Sequence, residues 1–256
     1  IDRELVSAEK LSRKFVNRYR GCLVTLDDKQ FASAIGAYEV INEALFRITS
    51  FADLIFAVNT DDRDVAKFWQ NIHERATSVS TRMLFFELEI NEIEDTSFDK
   101  LLNYPAIIRY KPWLDFVRCF RAYQLSYDQE EILHKKMVVG RKAWCRLFDQ
   151  TMEGLRFNIG GRYLTCGDVL SRLSDKDVQI RKEAAEAFGK GLEDNIQLFS
   201  LIINVVVKDK EIEDGWRGLP RSVSAQNLQN QVEDEVVDAL SSAVQASYPQ
   251  LSHRYY

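Results

Sequence analysis

The sequence predicts a mainly α fold, a multi-helical bundle-like lobe with one short β-hairpin near residues 155–166. Three observations carry this. Gly 11 and Pro 4 make up only a small part of 256 residues, about half their usual share, so turn-rich β-sandwiches, collagen-like repeats and disordered linkers are poor fits. Apolar residues recur every three or four positions over long stretches, the spacing that lines one face of a helix. One Gly160-Gly161 pair between two short apolar runs supplies the positive φ angles of a tight hairpin turn.

In chain order, Leu5, Leu11, Phe15 and Tyr19 mark an amphipathic opening helix that Gly21 breaks. From Gln30 to Val58 the residues Phe31, Ile35, Tyr38, Ile41, Leu45, Ile48, Ala52 and Ile55 predict a long helix. After the polar turn Asn59-Thr60-Asp61-Asp62, the series Val65, Phe68, Ile72, Ala76, Val79, Met83, Phe86 and Ile90 predicts a second one, antiparallel to the first. Aspartates at its start suit a helix N-terminus. Pro105 and Pro112 punctuate an aromatic segment (Tyr104, Tyr110, Trp113, Phe116, Phe120, Tyr123) read as short helices.

Ser126 with Gln129 forms a capping-box signal, and Leu133, Met137, Trp144, Phe148 and Met152 mark the expected buried stripe of the next helix, with Gly140 its weak point. Ser174 and Asp177 open a helix through Ala184, Ala185 and Phe188 that is expected to end near Gly189 and Gly191. Between Ile196 and Val207 nine of twelve residues are apolar, which predicts a helix buried on most sides at the centre of a core. Gly215 to Pro220 reads as a loop, and Val232, Val236, Leu240, Val244 and Leu251 begin a last helix.

Composition excludes several function classes. Lys+Arg 34 against Asp+Glu 39 gives a net charge of -5 with no basic tail, which argues against nucleic acid as a partner. The longest apolar stretch, Ile196 to Val207, is too short and too interrupted to cross a bilayer, so no membrane partner is expected. Cys22, Cys119, Cys145 and Cys166 stand far apart without a C-x-x-C pair, which points to a reducing, cytoplasmic compartment. The start at Ile1 and a helical pattern still running at Arg254-Tyr255-Tyr256 suggest a piece of a longer polypeptide.

Zinc hydrolases carry H-E-x-x-H on a helix, two histidines one turn apart with a glutamate to activate water. His73-Glu74 starts that motif, but Thr77 stands where the second histidine belongs, so His73 reads as a surface histidine; His134 and His253 lie far away. There is no G-x-S-x-G and no G-x-x-x-x-G-K-[ST], and the cysteines read as small core residues. The acidic run Glu87, Glu89, Glu92, Glu94 and Asp95 lacks the loop spacing of a calcium site and reads as a solvated face. Arg109, Lys111, Arg118, Arg121, Lys135, Lys136, Arg141, Lys142 and Arg146, interleaved with aromatics, have the composition of a nucleic-acid patch. Helical periodicity instead groups Trp113, Phe116 and Phe120 with the core, leaving the cations solvated or paired. Arg217, Arg221 and Asn227, in and just after a loop, carry too little signal to name a site.

Several ordered stretches of the second half resemble the oligoendopeptidase F branch of the thimet-oligopeptidase-like zinc metallopeptidases. They are Gly140-Arg141-Lys142-Ala143-Trp144-Cys145-Arg146-Leu147-Phe148-Asp149, then Leu164-Thr165, Val169-Leu170 and Leu173-Ser174-Asp175. Arg181-Lys182-Glu183-Ala184-Ala185, Lys208-Asp209-Lys210-Glu211-Ile212 and Trp216-Arg217-Gly218 follow in order, as do Glu235-Val236-Val237-Asp238-Ala239-Leu240 and Leu251-Ser252-His253-Arg254-Tyr255-Tyr256. The resemblance runs from about Ser126 onward.

The resemblance implies the N-terminal portion of a helical enzyme that hydrolyses short peptides in a deep channel, with zinc held by H-E-x-x-H and a downstream glutamate. None of those positions has a counterpart here, so no catalytic, cofactor-binding or metal residue is assigned. Zinc is expected in the parent enzyme and none in this chain. The expected segments are 1–84, an N-terminal helical hairpin region; 85–153, the oligopeptidase F N-terminal helical region; and 154–256, the start of the peptidase domain. Short peptides are the expected partners of the parent. Self-association is expected of this chain through Tyr248, Leu251, Tyr255 and Tyr256. The competing reading is a non-enzymatic helical module that binds a peptide or protein.

Overall fold

The computed structural model describes residues 1–59 and 62–251. Helices dominate them, and the two strands pair antiparallel. The chain forms two compact units, each assembled from separate stretches: one from 1–5, 44–81 and 132–210, the other from 6–43, 82–131 and 211–256. Helix α1 (Asp2–Tyr19) and the 31-residue α2 (Asp28–Val58) contribute to both.

The buried stripe of α1 is Leu5, Ala8, Ser12, Phe15 and Tyr19, a regular three-and-four spacing. Leu11 was expected on it but points outward at 39% exposure, and the small Ala8 and Ser12 take the inner positions. Ser12 is accommodated because its Oγ donates to the Glu9 carbonyl at 3.0 Å. Gly21 at φ 75 follows the end of α1, as the sequence predicts. Asp27 and Gln30 then cap α2 reciprocally, each side chain accepting from the other's backbone N–H at 2.8 and 3.2 Å.

In the unit built from 1–5, 44–81 and 132–210, the second half of α2 and α3 (Arg63–Met83) are two long helices, with Ala52, Ile72, Ala76 and Val79 buried; the second was expected to run on through Phe86 and Ile90, but it stops at Met83. Asp62 Oδ1 accepts from the N–H groups of Asp64 and Val65, which starts α3; Thr60 and Asp61 of the predicted turn lie outside the described residues. The hairpin is β1 (Phe157–Ile159) and β2 (Arg162–Leu164), in register Phe157 with Leu164, and Gly160 and Gly161 have φ 59 and 81. Its inner face joins Val169 of α9 (Cys166–Arg172) and Ala184 of α10 (Val178–Glu193) in a hydrophobic cluster. Thr165 and Asp168 close a full capping box at the start of α9, and Asp177 caps α10.

Four expectations fail along residues 127–218. The helix predicted across Gly140 is two helices, α7 (Tyr127–Lys136) and α8 (Arg141–Gly154), and neither holds a fully buried residue; Phe148 is 40% exposed. A Cβ on Gly140 would stand 3.2 Å from the Lys136 carbonyl oxygen, a tight contact that a larger residue would have to relieve by a small shift. Helix α10 runs through Gly189 and Gly191 to Glu193 instead of ending at them. The apolar helix α11 (Ile196–Arg217) buries only Phe199 and Ile202; Leu201, Ile203 and Val207 stay more than half exposed, so it is not the centre of a core. It also extends through Gly215 to Arg217, where a loop was expected, and Gly218 at φ 70 follows its last residue.

In the unit built from 6–43, 82–131 and 211–256, Phe15, Tyr38, Phe85, Phe86 and Trp113 form an aromatic core with centroid separations between 4.9 and 6.3 Å. Phe85 and Phe86 open α4 (Phe85–Glu92), which a single non-helical residue, Leu84, separates from α3. Helices α5 (Asp95–Leu102), α6 (Lys111–Cys119), α12 (Ser224–Gln229) and α13 (Asp234–Ser247) complete it. The predicted short helices of the aromatic segment are α6 and the 3₁₀ turns at 108–110 and 121–123. Pro112 sits in the first turn of α6, where a missing N–H costs nothing.

Candidate functional site

The cavity of most consequence lies in the second of these units and measures about 340 Å³. Leu88 and Asn91 of α4, Phe116 and Val117 of α6, Phe120 and Gln124 after it, Glu130 of α7 and Arg217 at the end of α11 line it. One arginine fixes this geometry. Arg118 of α6 donates to the carbonyls of Ile90, Asn91 and Ile93 at 3.2, 3.1 and 2.8 Å, capping the C-terminal end of α4 with a side chain from another helix. Its guanidinium also lies over the Phe98 ring at 4.4 Å and is paired with Asp95. Burial lowers its pKa, yet an arginine remains charged.

The polar wall of the cavity is already largely satisfied. Arg217 grips both oxygens of Glu130, at 2.6 and 2.9 Å, and also donates to Glu213 at 2.7 and 2.9 Å. Hydrogen bonding to Glu130 is the main reason its pKa is raised. Glu87 accepts from the Tyr38 hydroxyl at 2.7 Å; burial first, and that carboxylate second, push the phenol far above its ordinary value. Asn91 is the exception. Its Nδ2 donates to Gln124 Oε1 at 2.8 Å, while its Oδ1 is buried with no hydrogen-bond partner among the described residues. A buried acceptor left unmade costs desolvation without return.

A second cavity of about 400 Å³ belongs to the other unit and is floored by Phe56, Trp69 and His73. Asp53 Oδ1 accepts from Trp69 Nε1 at 2.6 Å and stands 2.9 Å from His73 Nε2, and the Trp69 and His73 rings are 4.3 Å apart. His73, the half-motif residue, is thus held against a carboxylate, while Glu74 accepts from Gln70 at 2.8 Å. His134 Nδ1 meets Thr81 Oγ1 at 2.8 Å, and His253 lies outside the described residues. Among the described residues no group of three or more His, Cys, Asp or Glu is placed to hold a metal ion. These side chains do not fit zinc. Likewise, no helix among the described residues is long and apolar enough to cross a membrane.

The remaining sequence candidates disperse. The four cysteines are free, and only part of the core expectation holds: Cys22 and Cys145 are exposed, Cys119 is half-buried, and the half-buried Cys166 packs against the Phe157 cluster. The acidic run is only partly a solvated face. Glu89 accepts from the Gly21 N–H at 2.8 Å and burial raises its pKa, Glu87 holds Tyr38, and Asp95 pairs with Arg118 and Arg121, while Glu92 and Glu94 are exposed. Among the basic candidates, Lys111 pairs with Asp115 at 3.0 Å and Arg109 and Arg146 lie over the rings of Tyr110 and Trp69. Arg221 grips Asp238 at 2.7 and 3.0 Å, and Asn227 donates to Asp234 at 2.7 Å. Asn91 was missed from sequence although a signal existed: with Leu84 and Leu88 it falls at the i, i+4, i+7 positions of one helical stripe, a polar residue at an apolar phase.

The family model of oligopeptidase F matches residues 89–157, a segment that contains Asn91 and most of the cavity wall. No curated protein matches. The chain is similar in structure to oligoendopeptidase-F from Enterococcus faecium, with a TM-score of 0.85 at 20% identity, over 99% of this chain and 51% of that one. It is also similar to a putative peptidase from Chlamydophila abortus, with a TM-score of 0.62 at 12% identity, over 88% of this chain and 39% of that one. The chain therefore spans about half the length of the first of these structures. The resemblance to the N-terminal portion of the oligoendopeptidase F family, read from the ordered stretches, is borne out.

Proposed function

We propose that this chain is the N-terminal half of a zinc-dependent oligoendopeptidase that hydrolyses short peptides, and that its part is steric and binding rather than catalytic. The observation that carries the proposal is the coincidence of two matches. Residues 89–157 fit the oligopeptidase F family model, and nearly the whole chain follows the fold of half of a solved oligoendopeptidase-F. Its zinc-binding and water-activating residues would come from the other half. Helical walls around a channel admit extended peptides and exclude folded chains, which is the selectivity proposed for this half.

A substrate-length series tests this. The full-length polypeptide is expected to cleave short peptides and to spare folded proteins, and removal of residues 1–125 is expected to relax the size limit or to abolish folding. A stably folded truncation with unchanged size selectivity overturns the steric role.

A further inference from the structure

We infer that the cavity of about 400 Å³ lined by Phe56, Trp69 and helix α8 binds a short peptide with both ends free, its amine beside Asp149 and Glu153 and its carboxylate beside Lys142 and Arg146. The inference stands apart from the peptidase reading; where that reading also holds, the ligand is of the class that cleavage of short peptides releases. Part of the wall is an aromatic ladder, with the Phe56 and Trp69 ring centroids 5.3 Å apart and those of Trp69 and His73 4.3 Å apart. Asp53 fixes the ladder by accepting from Trp69 Nε1 at 2.6 Å and standing 2.9 Å from His73 Nε2. An aromatic side chain of a peptide packs on such a wall.

Helix α8 supplies the charge. Lys142, Arg146, Asp149 and Glu153 line the cavity at spacings of four, three and four residues, a single stripe of the helix. Lys142 repels Arg146 across one turn, and Asp149 repels Glu153 across another. Lys142 also lies in the first turn of α8 and Glu153 in the last, the wrong ends for the helix dipole. Nothing on the chain compensates: none of the four forms an ion pair with another described residue, and Arg146 only lies over the Trp69 ring at 5.7 Å. A stripe positive at one end and negative at the other matches a ligand dipolar in the reverse sense. The midpoints of the two pairs lie about 10 Å apart along the helix axis, the span of roughly three extended residues. Asp53 adds a third carboxylate to the lining, so the amine is expected to be held the more firmly.

The test titrates this chain with glycyl-phenylalanyl-glycine, its N-acetyl form and its C-terminal amide. Nuclear magnetic resonance shifts of the free-ended peptide are expected on residues 56–57, 69–77 and 142–153, and alkylation of Cys145, exposed in the cavity wall, is expected to slow when it is bound. Blocking either end is expected to weaken binding roughly three- to fivefold, the factor that a partly exposed ion pair gives, with the larger loss on acetylation. Lys142→Gln with Arg146→Gln is expected to erase the effect of amidation alone, and Asp149→Asn with Glu153→Gln that of acetylation alone. If a variant does not fold, the three peptides on the unaltered chain decide. No binding at tens of millimolar, shifts confined to other surfaces, an unprotected Cys145, indifference to both blocks, or sensitivity to one block alone overturns the inference. Peptide hydrolysis by the full-length polypeptide without binding here removes this site and leaves the peptidase reading. Binding here without hydrolysis keeps the site and removes the peptidase reading.

Discussion

Gly191 of α10 faces the ring of Phe157 on β1 so closely that a Cβ at Gly191 would lie 2.5 Å from Cε1 and 2.8 Å from Cδ1. Phe157 is 1% exposed and belongs to the hydrophobic cluster of its unit, so the ring has little room to retreat. Gly189, two residues earlier in the same helix, has nothing within 4 Å of its Cβ position. The same substitution therefore has opposite signs at the two sites. Gly191→Ala is expected to cost about 1–3 kcal/mol through overpacking, and Gly189→Ala to gain about 0.5–1 kcal/mol through lower unfolded-state entropy and better helix propensity. Urea unfolding of the two variants checks both, and a stabilised Gly191→Ala contradicts the packing account.

That pair also shows what was legible in the sequence. Two glycines at the end of an amphipathic run read as a helix stop, because glycine is the usual terminator; nothing local says that one of them makes room for a ring from a strand over thirty residues earlier. Stripes made of large residues, such as Phe31 to Ala52 and Ile72 to Met83, were legible because burial follows periodicity there. The run Ile196–Val207 was misread because apolar composition does not reveal whether another element covers it. The Arg217 to Glu130 pair joins residues brought together only by folding, so no sequence window contains it, whereas Asn91 left a trace as a polar residue at an apolar phase of its own helix.

Arg217 is 21% exposed and Glu130 12%, and the fork between them bounds the candidate cavity. Removing one partner of a mostly buried pair is costly because the other charge stays behind. Arg217→Met is expected to lose about 2 kcal/mol or more of stability. Glu130→Gln is expected to lose less, since Glu213 still accepts from the guanidinium. Denaturant midpoints measure both, and an Arg217→Met chain as stable as the parent contradicts this account.

Burial is the main reason the Glu89 pKa stands above the ordinary carboxylate value, with the Gly21 N–H partly opposing it. A raised folded-state pKa means that the folded chain binds the proton more readily than the unfolded chain. Its stabilising contribution is therefore complete in acid, below the unfolded value, and lost as pH rises through the folded value. Glu89→Gln keeps an oxygen for Gly21 and removes the ionised form, so it is expected to raise Tm at pH 7 and to lose that advantage near pH 4. A variant less stable at pH 7 than at pH 4, relative to the parent chain, contradicts the sign.

Val236, Leu240, Val244, Tyr248 and Leu251 run along α13 and just beyond it, each between 44% and 66% exposed. The further residues expected on this face, Tyr255 and Tyr256, lie outside the described residues. An apolar stripe of this kind favours self-association. Light scattering of this chain is expected to show mass rising with concentration and Leu240→Glu to suppress the rise; a clean monomer at high concentration contradicts it.

The most direct measurement of the central claim is peptide hydrolysis and metal content of the full-length polypeptide, taken beside those of this chain alone. The account predicts roughly one tightly held zinc per full-length chain, cleavage of a quenched fluorescent peptide that a chelator abolishes and zinc restores, and neither metal nor cleavage with residues 1–256 alone. A full-length polypeptide that binds peptides without cleaving them, or cleaves them undisturbed by chelation, contradicts it.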